Sequence, residues 1–181
     1  MKKKSGFTLI EMIVVIGVIS ITIPTIFSLM FLSFQSQKRV KALASVKQSG
    51  DYTLSVMQSL IRQYANSIYS IGDISPVNQI CSSAGDEAVE PLYFKDDTDH
   101  FFNFAIQDGR IASYSGTMVY YLTPEDVVAD DTTFSMSCTR LTDFDPPLVT
   151  IDFTLSVGQG KLRREEKATL RYQTKVKLRN L

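Results

Sequence analysis

Glu11 stands one residue before a stretch, Met12 to Gln37, that contains no ionisable side chain. A carboxylate at the edge of a nonpolar medium should seek a cation. Left unpaired in hydrocarbon it would cost on the order of a few kcal/mol. Nothing in the apolar stretch can neutralise it. The partner must come from elsewhere, unless the side chain snorkels to the inner headgroups, as polar groups near helix ends do.

The other reactive side chains are few. His100 is the only histidine, and it lies in a polar, acidic stretch that reads as a solvated loop. With no Gly-x-Ser-x-Gly and no phosphate-binding glycine loop, neither a triad nor a nucleotide site can be assembled. No enzyme activity is expected. Cys81 and Cys138 are far apart and lack CxxC spacing, so zinc is poorly supported. They read either as a disulfide, worth roughly 3 to 4 kcal/mol in the chain-entropy model, or as two buried thiols. Asp96, Asp97 and Asp99, with Asp130, Asp131, Asp143 and Asp145, offer oxygen ligands but not the spacing or glycine of a calcium loop. The expectation is no metal and no cofactor, with calcium in the head as the alternative. Arg171, Lys175 and Lys177, with Arg163, Arg164 and Lys167 before them, form a basic stripe. It could meet nucleic-acid phosphates or pair with acidic groups of this chain or of a neighbour.

These residues sit on elements that the patterning separates sharply. Residues 73–152 carry fifteen acidic and three basic side chains, and residues 161–179 carry eight basic and two acidic. The zero net charge is a sum of unlike parts. A helix from Met12 to Phe34 would extend about 35 Å, enough to cross a hydrocarbon core of about 30 Å. A secretory signal peptide fits less well, because the apolar run continues past Pro24 without a small-residue cleavage site. Pro24 should kink or loosen this helix. The lysines at the amino end and the long hydrophilic remainder place the amino terminus inside and the body outside.

Beyond the span, Met57, Leu60, Ile61, Tyr64, Ala65 and Ile68 recur at helical spacing, with Ser49-Gly50 as a weak point. The helix is expected to end near Ser70 to Gly72. Its second half is read as lying on the protein's own sheet, the alternative being an exposed partner-binding helix. Residues 149–157 and 169–178 alternate as two half-buried strands about Gly158-Gln159-Gly160. Asp108-Gly109 marks another hairpin, between Phe102 to Ile106 and Ile111. Short strands are expected at Leu92 to Phe94, Met118 to Leu122 and Phe134 to Cys138. The fold class is α+β, a long helix packed on an antiparallel β head.

The segment Lys2-Lys3-Lys4-Ser5-Gly6, followed by Phe7-Thr8-Leu9-Ile10-Glu11, resembles the class III signal of type IV pilins and pseudopilins. A short basic leader ends in glycine, a phenylalanine follows, and a glutamate stands four residues later. The resemblance covers roughly residues 1–35. The two carboxy-terminal strands are similar to those of minor pilins and J-type minor pseudopilins, which favours a minor subunit. Four segments result: a leader at 1–6, a membrane and filament-core half-helix at 7–35, an amphipathic half-helix at 36–72 and a β head at 73–181.

What the resemblance implies can be placed on particular residues. A prepilin peptidase would cut between Gly6 and Phe7, and Phe7 would be N-methylated. Glu11 would pair with the new amino terminus of a neighbouring subunit. Filament pilins carry a helix proline like Pro24, usually a few residues further along. The partners implied are the peptidase, other pilin subunits, an inner-membrane assembly platform, and lipid before assembly. The location is the cytoplasmic membrane, with the head outside, and then a filament. The signal is common to pili, secretion pseudopili and competence filaments. Two alternatives are a DNA-uptake subunit using the basic strand and an uncleaved bitopic adhesin or receptor.

Overall fold

The computed structural model describes residues 8–89, 91–158, 160 and 166–178. One helix, α1, runs from Leu9 to Tyr64 and carries the head at its far end. All of residues 8–34 are exposed, and burial begins in earnest only at Val46, Gly50, Thr53, Met57 and Ile61. That spacing of three and four residues is one helical face. The helix is uninterrupted across Pro24.

The strands are β1 (Ser67–Tyr69), β2 (Gln79–Ile80), β3 (Glu87–Val89), β4 (Tyr93–Lys95), β5 (Phe101–Gln107), β6 (Arg110–Ser115), β7 (Met118–Tyr121), β8 (Val127–Ala129), β9 (Ser135–Thr139), β10 (Leu148–Val157) and β11 (Ala168–Lys177). They form two antiparallel sheets. The first has the order β2-β1-β4-β5-β6-β7; the second has the order β11-β10-β9-β3, with β8 also on β10. One apolar cluster draws on the helix and both sheets, from Met57 and Ile61 through Phe94 and Phe104 to Ile151 and Phe153.

The paired strands at 149–157 and 169–178 are β10 and β11, in register from Leu148 opposite Lys177 to Val157 opposite Ala168. The Asp108-Gly109 turn joins β5 to β6, with Gln107 opposite Arg110. Its central residues have φ of 53° and 70°, the positive pair that matches the strand twist in a two-residue hairpin.

Two expectations need correction. The helix stops at Tyr64, not near Ser70 to Gly72. The Asn66 N–H donates to the Lys95 carbonyl at 2.9 Å, and Ser67–Tyr69 pairs with β4. Ile68 is buried in this strand, so its place in the helical spacing did not distinguish the two states. Gly50, read as a weak point, is a point of contact: a Cβ there would lie 2.1 Å from the Tyr172 ring. The Tyr172 hydroxyl donates to the Val46 carbonyl at 3.0 Å. The glycine lets β11 approach the helix.

Candidate functional site: the amino-terminal helix and the groups around it

The helix begins with a reciprocal cap. Thr8 is the N-cap, and its backbone N–H and its hydroxyl both donate to the Glu11 carboxylate at 2.8 Å. The Glu11 N–H donates back to the Thr8 hydroxyl at 3.4 Å. This capping box satisfies donors that a helix start leaves open. A carboxylate in the first turn also lies at the positive end of the helix dipole. Hydrogen-bond donors for Glu11 are thus at hand in its own chain, whereas no cation bonds to it among the described residues. The pattern Thr-x-x-Glu before an apolar run was the available signal. Gly6 and Phe7 lie outside the described residues.

From Leu9 to Phe34 the large apolar side chains point into open surroundings, including Leu9 at 78% and Ile21 at 72% exposed. The helix is long and apolar enough to cross a membrane. Three of its hydroxyls are folded back onto its own carbonyls: Ser20 to Ile16 at 2.7 Å, Thr22 to Val18 at 3.1 Å and Thr25 to Ile21 at 3.0 Å. Polar side chains that bond within their own helix can be carried in lipid without an unmet hydrogen bond.

The basic strand is partly spoken for. Arg171, Lys175 and Lys177 share the exposed face of β11. Arg171, however, donates from Nε and Nη2 to both carboxylate oxygens of Asp152, at 2.8 and 2.6 Å. This fork is a strong form of ion pair, and it holds the Asp152 carboxyl below the usual range, through those hydrogen bonds first and against the desolvation of a buried group. Lys175 and Lys177 remain exposed. Arg163 and Arg164 lie outside the described residues. Lys167 is exposed just ahead of β11.

The acidic residues hold turns. Asp96 Oδ1 accepts from the Thr98 N–H at 2.8 Å and the His100 N–H at 2.9 Å. Asp130 does the same for Thr132, and Asp143 accepts from the Ala84 N–H at 2.8 Å. Asp99 pairs with Lys95 at 2.6 Å. Among the described residues no three His, Cys, Asp or Glu side chains gather into a possible metal site. His100 is 77% exposed by side chain and touches Thr98 Oγ1 at 2.8 Å. Cys81 and Cys138 are joined as a disulfide, with Cα atoms 6.3 Å apart.

An apolar helix that stands clear of an antiparallel head defines a class, the α+β proteins built as the pilin fold is, and is consistent with a membrane-anchored pilin. Comparison with known proteins narrows this at the amino end. Residues 1–23 match the family model described as the prokaryotic N-terminal methylation motif. The chain therefore carries the signal of type IV pilins and pseudopilins, which marks processing by prepilin peptidase and assembly with other pilin subunits. No curated protein and no solved structure matches the chain.

Proposed function

We propose that this chain is a minor pilin or pseudopilin, a structural subunit that is cleaved between Gly6 and Phe7, methylated at Phe7 and built into a thin filament or its tip. The observation that carries this reading is the methylation motif at residues 1–23 opening directly into a helix whose apolar surface is uncovered from residue 8 to residue 34. Before assembly that surface lies in the cytoplasmic membrane, with the leader inside and the head outside. On an assembly platform it exchanges lipid for neighbouring helices, a step driven by packing. Cleavage creates an ammonium group at Phe7, and Glu11 of an adjoining subunit accepts it. The work of the protein is mechanical, priming assembly and presenting the head.

The test is the amino terminus itself. The full chain is expressed with and without a prepilin peptidase and analysed by mass spectrometry, with Gly6→Leu as control. A product that begins at methylated Phe7 and disappears in the control is expected; an intact terminus beside an active peptidase would overturn the reading in favour of an uncleaved membrane protein. Glu11→Gln separates the two uses of the carboxylate. The amide can still accept from Thr8 but carries no charge, so cleavage should proceed while incorporation into filaments fails.

A further inference from the structure

The first sheet carries a cleft that no residue of α1 lines. Tyr93, Asn103 and Tyr114 are direct cross-strand partners on β4, β5 and β6. On a pleated sheet such partners stand in one row on one face. Their chain neighbours Phe94 and Phe102 point into the core, so the row faces outward. All three of its members are half-buried. Gly72, the Asp99-His100 turn and Gly116 wall the row into a cleft of about 380 Å³, within the range of about 300 to 1,000 Å³ for small-molecule sites.

The chemistry of the lining is specific. Two phenol rings flank one carboxamide. The Tyr114 hydroxyl donates to Gln107 at 2.8 Å, whereas the Asn103 amide has no hydrogen-bond partner among the described residues. A half-buried amide left open offers a donor and an acceptor to an occupant. Among the described residues no lysine or arginine lines the cleft, though the His100 imidazole does, and Asp99 is paired with Lys95 at 2.6 Å. The one anionic wall group thereby has its counter-charge already. A phosphate or sulfate would meet only the His100 imidazole and the Asn103 amide and would sit near Asp96, Asp97 and Asp99; a cation would gain from the rings but leave the amide unused. Aromatic faces for stacking and a neutral donor–acceptor between them suit a ring that bears hydroxyls.

We propose that this cleft binds a neutral saccharide, stacked on Tyr93 and Tyr114 with its hydroxyls bonded to the Asn103 amide. The site contains no residue of the amino-terminal motif or of α1.

The experiment uses the full chain in micelles of a non-glycosidic detergent and saturation-transfer NMR with cellobiose, maltose and N,N′-diacetylchitobiose, alongside choline and a sulfated disaccharide. Transfer to at least one neutral disaccharide is expected. Its dissociation constant should rise by about tenfold or more in Asn103→Ala and in Tyr114→Ala, the scale of a lost hydrogen-bond pair or ring contact. It should be unchanged in Tyr120→Ala, an exposed tyrosine of β7 outside the cleft. Asn103→Asp, close in shape and lacking the donor, gives the same reading if an alanine variant fails to fold. Silence with all three neutral sugars, undiminished binding in the Asn103 variants, or preference for choline or the sulfated sugar would each overturn the proposal.

Discussion

Asp152 is the one buried charged residue among those described, and its environment decides how the head responds to acid. The Arg171 fork lowers its pKa in the folded state, while the unfolded chain holds it near an ordinary value of about 3.9. A carboxyl whose folded pKa is depressed adds stability above the unfolded value and loses it as pH falls through the folded one. The contribution of this pair should therefore be complete above about pH 4 and vanish in stronger acid. Asp152→Asn should lower the urea midpoint at pH 7 and make the loss of stability below pH 4 shallower than in the parent, with both read by circular dichroism; parallel curves would show that the pair is not what acid breaks. Sequence reading identified Arg171 as basic and Asp152 as a strand residue. Only the register, with Thr154 opposite Arg171 and Asp152 opposite Gln173, brings them together. Glu11 differs in that its cap partner, Thr8, was visible three residues away. The apolar run that follows marks membrane chemistry, and the same carboxylate also serves the local cap.

Among the elements, the docking of α1 on β11 turns on a single missing side chain. Tyr172 lies over Gly50 and bonds to the helix at Val46, and the same ring stacks on Phe153 at a centroid distance of 5.4 Å. Gly50→Ala improves helix propensity by about 1 kcal/mol yet forces the ring from its place. Overpacking costs about 1 to 3 kcal/mol, and the hydroxyl's hydrogen bond adds about 1 kcal/mol more. A net loss of about 1 to 3 kcal/mol in thermal or urea unfolding is expected. A gain would mean that the ring has room to swing away. Tyr172→Phe should show the hydrogen bond alone, a loss of about 1 kcal/mol. The strands β10 and β11 were legible because one face alternates cleanly with the other. Strands β1, β2, β3 and β8 were not, since each is only two or three residues long and takes its backbone partners from distant segments. No local period records such a pairing, and for the same reason the division into two sheets was hidden.

At the scale of the whole molecule, the two sheets meet covalently. Cys81 follows β2 of the first sheet and Cys138 lies in β9 of the second, 57 residues on, so the disulfide closes the loop that contains β3 to β8. A second clasp lies beside it. The Arg140 guanidinium donates to the carbonyls of Ser82 at 2.6 Å, Thr142 at 3.2 Å and Asp143 at 2.7 Å, which ties the turn after Cys81 to the loop after β9. Two fastenings across one junction should not act independently. Cys81→Ala with Cys138→Ala should lower stability by roughly 3 to 4 kcal/mol, as loop-closure entropy predicts. Arg140→Ala in the oxidised chain should cost less than in the chain without cysteines, because the disulfide still holds the ends of the loops together when the guanidinium is gone. A double-mutant cycle should then give a coupling of about 0.5 to 3 kcal/mol. Additive losses would mean that the arginine organises only its own loop and that the disulfide alone joins the sheets. A large loss from Arg140→Ala even with the disulfide intact would reverse the order of importance and make hydrogen bonding to Ser82, Thr142 and Asp143 the principal tie between the two halves of the head.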